Sequence, residues 1–227
     1  MKIDPSMAKN EIKTFITLVS CIAFFILCGN LAGYSQPAGY SVLKDTASLK
    51  KLLIKEAIET KTIQSDFVQE KNISALSEKI TTKGKFYFTK DNMLRWEYLD
   101  PFKYLIILNK DKVLVRDENK ETKYDLQSNK MFKEINSMML NSVQGKILSS
   151  KEFTYSFYHS DKYYLLELSP QAKAINKYMK NIHLYFDKTT NGVYKIELFE
   201  NTGDHTKITF VNRQENVEIP NEKFLIK

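Results

Sequence analysis

The chain has 227 residues, 43% of them apolar and 27% charged, which suits one globular domain of ordinary size. Seven Gly and five Pro exclude a repetitive or low-complexity architecture, while 13 Tyr and 14 Phe favour pleated, half-buried surfaces. The net charge of +7 is interspersed and forms no Arg-rich stripe, which argues against a nucleic-acid surface.

Residues 1–35 read as a secretory signal peptide. Lys9 and Lys13 supply the basic start, Phe15 to Leu27 is almost wholly apolar, and Gly29, Ala32, Gly33 and Ser35 provide small residues near a cut. The preferred cut follows Ser35 and leaves Gln36 first. A rival reading takes Leu18-Val19-Ser20-Cys21 as a lipobox with Cys21 lipidated, although the apolar run continues beyond Cys21. Both cysteines, Cys21 and Cys28, lie in this segment, so residues 36–227 are expected to hold no disulfide and no thiolate nucleophile.

Asp45 is placed to cap a helix whose apolar stripe is Leu49, Leu52, Leu53, Ala57 and Ile58. The period then changes to two. Strands are expected at 63–72, 79–89, 93–99, 103–109, 112–118 and 121–127, then at 152–159, 162–169, 180–188, 193–200 and 205–214, with a short last piece at 223–227. Short polar turns such as Lys90-Asp91-Asn92, Asn109-Lys110-Asp111 and Thr202-Gly203-Asp204 force antiparallel hairpins. Residues 130–145 break the alternation: Met131, Ile135, Met138 and Met139 fall on one helical stripe flanked by Phe132, and Gly145 fits a C-cap. Residues 169–178 read as a loop or a short helical turn. The expected fold is mainly β, an antiparallel incomplete (half) β-barrel of about 11 strands with a concave apolar face covered by amphipathic helices.

Parity places Phe86, Phe88, Leu94, Trp96 and Tyr98 on the inner face, with Lys90 at its end. Arg95 and Glu97 point outward as a charge pair. Such an aromatic surface is a core, a dimer interface or a ligand cavity, and the Met-rich stripe is either core filler or a yielding cover. His159, His183 and His205 have no metal-ligand spacing, and no nucleophile–base motif is present, so neither a metal, a cofactor nor an enzymatic activity is expected.

The succession Asp66-Phe67-Val68-Gln69-Glu70, Gly84-Lys85-Phe86-Tyr87-Phe88, Leu94-Arg95-Trp96-Glu97-Tyr98 and Asp100-Pro101 resembles the LolA family of periplasmic lipoprotein carriers. The likeness extends through Leu168-Ser169-Pro170, Ile182-His183-Leu184-Tyr185-Phe186-Asp187 and Gly203-Asp204 to Phe224. It implies a monomeric periplasmic chaperone that takes acylated lipoproteins from an ATP-driven inner-membrane transporter to an outer-membrane acceptor. On this likeness the lipid-binding residues are Phe86, Phe88, Leu94, Trp96, Tyr98, Met131, Phe132, Ile135, Met138 and Met139. Lys90 stands where many members have an Arg-Pro pair that holds a helical lid, and Lys90-Asp91 departs from it. The likeness stops at Phe224, short of the extra C-terminal segment some members carry, which leaves cargo handling open. Alternatives are a membrane-anchored acceptor if Cys21 is lipidated, a carrier of another acylated lipid, a sensor domain, or an enzyme acting on a lipidic substrate.

Overall fold

The Asp45 carboxylate accepts the Ser48 N–H at 3.0 Å and starts α1, Thr46–Glu59, as the sequence predicts. The computed structural model describes residues 36–75, 78–126 and 145–226, and residues from Gly39 onward form one unit. The strands are β1 (Ser41–Val42), β2 (Thr62–Ile73), β3 (Glu78–Thr89), β4 (Met93–Asp100), β5 (Tyr104–Asn109), β6 (Lys112–Arg116) and β7 (Glu121–Asp125). The second set is β8 (Phe153–His159), β9 (Tyr163–Pro170), β10 (Met179–Asp187), β11 (Val193–Glu200) and β12 (His205–Glu215). A four-residue helix α2, Lys173–Asn176, lies within the segment read as loop or turn.

All twelve strands form one antiparallel sheet in the order β1-β8-β9-β10-β11-β12-β2-β3-β4-β5-β6-β7. Among the described residues it does not close: β1 and β7 stand at its two ends, as in an open half-barrel. Hairpin turns follow the predicted places, with Asn92, Lys110, Asn191 and Gly203 at positive φ, the conformation tight hairpins need. The pairing that makes the sheet continuous is β12 with β2, where Phe210 stands opposite Phe67 and Lys207 opposite Glu70. Glu70 lies between Lys207 and Lys79 and pairs with both, so one carboxylate clasps three strands on the outer face.

Those two ammonium groups hold the Glu70 carboxyl down at a pKa of about 2, below its ordinary 4.5. A depressed carboxylate contributes stability that is present above its unfolded pKa and lost as pH falls through the folded one. The contribution is therefore complete above about pH 4.5 and declines toward pH 2. Glu70→Gln is expected to flatten that part of the acid limb in denaturant titrations while leaving the neutral limb parallel to wild type.

Each face of the sheet has its own core. On the inner side, Leu49 and Leu53 of α1 pack with Phe157, Leu166, Leu168, Ile182 and Leu184 from β8, β9 and β10. Gly145 has φ +70° and precedes the 3-10 turn Lys146–Ser149, and a Cβ there would meet the Ala57 side chain of α1 at 2.8 Å; the helix it was expected to end lies outside the described residues. The remaining inner face, on β12 and β2 through β6, is the aromatic surface described below.

The outer face is also covered, which the alternation did not foretell. Val217, Ile219, Phe224 and Ile226 fold over Tyr87, Leu105, Ile107 and Leu114. The piece expected as a strand at 223–227 is instead a single 3-10 turn, Asn221–Phe224, which delivers Phe224 into this cluster at 0% exposure. Pro220, which lacks an N–H and precedes the turn, helps exclude a ladder there. Farther along the same face, Tyr40 covers Tyr158, Leu165 and Tyr185. The two-residue β1, pairing Ser41 with His159 and Val42 with Tyr158, adds a strand the sequence did not announce.

Candidate functional site

Strand register places the five predicted inner-face residues of β3 and β4 together. Phe86 stands opposite Trp96, and Phe88 opposite Leu94. All four are buried, Trp96 at 9% exposure, and Tyr98 lies half-buried at their margin. The Phe86 and Trp96 rings meet edge-on at 5.2 Å between centroids. Two aromatic residues not singled out from the sequence complete the surface: Phe67 lies 4.8 Å from Trp96, and Phe210 lies 5.8 Å from Phe86. The signal for Phe67 was present in the alternation of Ile63, Ser65, Phe67 and Gln69. What was missing was the pairing of β2 with β12, which no local pattern encodes.

Gly84 explains how the rings come so close. A Cβ at this position would lie 2.5 Å from the Phe67 ring and 2.0 Å from the Glu97 carbonyl oxygen. The missing side chain is the space into which Phe67 settles. Tyr98 then packs edge-on against Phe67 at 5.2 Å and donates its hydroxyl to Gln69 Oε1 at 3.1 Å. Burial raises the Tyr98 hydroxyl pKa, so it is a neutral donor at physiological pH.

Met131, Phe132, Ile135, Met138 and Met139, expected to cover this surface, lie outside the described residues. Lys90 is exposed, and its Nζ donates to the Ile58 carbonyl at the C-terminal end of α1. A cation there also meets the negative end of the helix dipole. The partner the structure gives Lys90 is thus α1. Arg95 is on the outer face as parity required, held to Glu97 by a bidentate pair at 2.8 and 3.0 Å and donating to the Lys223 carbonyl at 3.2 Å. It anchors the C-terminal segment and faces away from the aromatic surface.

Two histidines 22 positions apart in the chain, His183 and His205, converge on the outer face. His183 Nε2 lies 3.3 Å from Glu167, while His205 lies 3.8 Å from Glu197, and both rings pack on Phe199. Burial lowers the His183 pKa against the pull of Glu167 and Glu197. Burial raises the Tyr185 pKa, and Tyr185 donates to Glu197 at 2.5 Å. The cross-strand register of β10, β11 and β12 brings these groups together, a relation invisible in sequence spacing. Among the described residues, no group of three or more His, Cys, Asp or Glu side chains is arranged to hold a metal ion.

The family model described as outer membrane lipoprotein carrier protein LolA matches residues 59–227, well over half of the chain. The chain belongs to the LolA family. The matched span of this LolA-family protein includes every strand from β2 onward and the whole aromatic surface. No curated protein matches the sequence. Similar solved structures include a LolA superfamily protein from Nitrosomonas europaea, at 9% identity and TM-score 0.42 over 78% of this chain and 97% of that one. The MucA/MucB complex of Pseudomonas aeruginosa is similar at 12% identity and TM-score 0.45, over 80% of this chain and 60% of that one. Lipoprotein LppX of Mycobacterium tuberculosis is similar at 8% identity and TM-score 0.41, over 77% of this chain and 100% of that one. LolA-family proteins are periplasmic or exported, and no helix among the described residues is long and apolar enough to cross a membrane.

Proposed function

We propose that this LolA-family protein is a periplasmic carrier, exported by residues 1–35, that shields lipoprotein acyl chains on its concave face and moves them from the inner to the outer membrane. The supporting observation is the continuous ring surface of Phe67, Phe86, Trp96 and Phe210 on the inner side of a sheet that stays open. Rings of this kind take straight chains by area, and each methylene removed from water contributes about 0.8 kcal/mol. A few chains then supply enough affinity to solubilise the cargo without a catalytic group or cofactor.

Met131, Phe132, Ile135, Met138 and Met139 are assigned as the cover of that surface. Unbranched Met side chains adapt to chains of differing length and position. Lys90, whose ammonium ties the β3–β4 turn to α1, is assigned as the basic residue beside this cover. The partners in this reading are an ATP-driven inner-membrane transporter that loads the carrier and an outer-membrane acceptor that unloads it, with the carrier a monomer between them.

The test is isolation of the protein from the native periplasm after crosslinking from position 96, followed by mass spectrometry of protein and cargo. The carrier reading expects acylated lipoproteins on an unmodified chain that begins at Gln36. An absence of acylated species would refute it. A diacylated chain beginning at Cys21 would replace the shuttle by a membrane-anchored acceptor.

A further inference from the structure

Between Glu167 and Asp187 the chain carries three lysines, Lys173, Lys177 and Lys180, and no acidic residue. Elsewhere the two signs are interspersed, so this stretch is a patch of one sign. All three lysines are exposed, and no carboxylate among the described residues pairs with them. Lys71, Lys79, Lys85, Lys123, Lys195 and Lys207 each have such a partner. Two acids approach the patch through the backbone, and neither cancels it. Glu200, opposite Met179, is held by Lys71 at 3.2 Å. Glu152, whose carbonyl accepts the Gln171 N–H at 2.7 Å, follows Lys151 in the chain.

The lysines stand on a fastened turn. Ile175 of α2 packs against the inner core. The Tyr178 N–H donates to the Ile175 carbonyl at 2.9 Å. Asn201, in the turn between β11 and β12, donates its backbone N–H to the Tyr178 carbonyl at 3.0 Å and its side-chain amide to the Asn176 carbonyl at 2.6 Å. With the backbone held, the Tyr178 side chain is left 63% exposed, and the Lys177 ammonium lies 5.4 Å from the centre of its ring. Tyrosine is a residue of the membrane–water interface, because its ring is apolar and its hydroxyl is wet.

The chemistry points to an extended negative plane rather than to a single anion. Lysine ammonium groups are compact point charges without the planar fork that fits one carboxylate or phosphate, and this stretch has no arginine. LolA-family proteins are periplasmic or exported, and the negative planes available to such a protein are the anionic leaflets of membranes. In the antiparallel order, β10 begins at the end of the sheet where β4 finishes. The patch therefore lies at the same end as Tyr98, the margin of the ring surface.

We propose that Lys173, Lys177, Lys180 and Tyr178 form a docking surface for anionic lipid bilayers. The lysines are drawn to the phospholipid headgroups, and the tyrosine ring seats among them. The attraction is reversible and fades within a Debye length, so it weakens with added salt. Docking at this turn sets the Tyr98 end of the sheet beside the leaflet. The inference does not rest on what the concave face carries.

The experiment sediments the protein, isolated after export, with vesicles of dioleoylphosphatidylglycerol and with vesicles of dioleoylphosphatidylcholine. The two carry the same chains and differ in headgroup charge, so capture of acyl chains would count equally in both. Wild type is expected to sediment with the anionic vesicles alone and to be released by salt. Each lysine near the surface contributes about five-fold, so replacing Lys173, Lys177 and Lys180 together by Gln is expected to weaken binding about a hundred-fold. Tyr178→Ala is expected to weaken binding with its salt dependence unchanged. Replacing Lys61, Lys110 and Lys112 by Gln removes the same charge from exposed lysines at the other end of the sheet, and this variant is expected to bind as wild type does. Equal loss in the two triple variants would reduce the attraction to net charge and overturn the docking surface. Equal sedimentation with both vesicles, or with neither, would overturn it too. The carrier reading is judged separately, by the cargo recovered from the periplasm.

Discussion

Truncating Phe224 to alanine is expected to lower the unfolding free energy by about 3–5 kcal/mol, the range for emptying a fully buried aromatic site. Phe224 is 0% exposed and is gripped from several sides at once. Tyr87, Leu105, Ile107 and Leu114 pack against it, Asn109 donates to its carbonyl at 3.0 Å, and Arg95 holds the neighbouring Lys223 carbonyl at 3.2 Å. Chemical denaturation measures the effect as a shift of the midpoint at unchanged slope. Thermal denaturation should show a fall on the order of 10 °C for a chain of this size. A shift within error of wild type would mean that the C-terminal segment does not cover the outer face in solution.

Gly84→Ala is the second large effect, and it acts from the opposite face. The added methyl would lie 2.0 Å from the Glu97 carbonyl oxygen and 2.5 Å from the Phe67 ring, closer than atoms pack. A ring can turn aside, but a ladder carbonyl cannot move without parting β3 from β4. The expected cost is about 3 kcal/mol, at the upper end for overpacking a core. Because Phe67 touches Trp96 at 4.8 Å, the fluorescence spectrum of Trp96 should shift as well. Phe67→Leu alongside Gly84→Ala gives the ring-side collision room. Recovery of part of the loss in the double variant would separate that collision from the backbone one.

The parts of this structure that were legible from sequence are those that depend on near neighbours. Alternation located β3 and β4 to within a residue or two, assigned Trp96 and Phe86 to one face, and turned Arg95 outward with Glu97. The capping of α1 by Asp45 was legible for the same reason. What escaped were relations between distant segments. The partnership of Phe67 with Phe210 depends on β2 pairing with β12, and the meeting of His183 with His205 depends on two further registers.

The outer-face cover escaped for a different reason. Leu105-Ile106-Ile107-Leu108 and Val113-Leu114-Val115 are continuous apolar runs, and such runs belong to strands buried on both sides. Treating the sheet as apolar on one face left Leu105, Ile107 and Leu114 without an assigned neighbour. The chain end that covers them reads locally as another strand. Phe-Leu-Ile at 224–226 has strand composition, but its aromatic ring is used as a plug.

The central claim is that acyl chains lie against the rings of the concave face, and the single tryptophan permits a direct measurement. A synthetic acylated peptide carrying bromine on its acyl chains is titrated into the protein, and Trp96 fluorescence is followed beside an unbrominated control. Bromine quenches only at short range. Saturable quenching by the brominated chains, absent with the control, is the result this account predicts. Unquenched Trp96 emission at concentrations where the peptide is bound would place the chains elsewhere and contradict it.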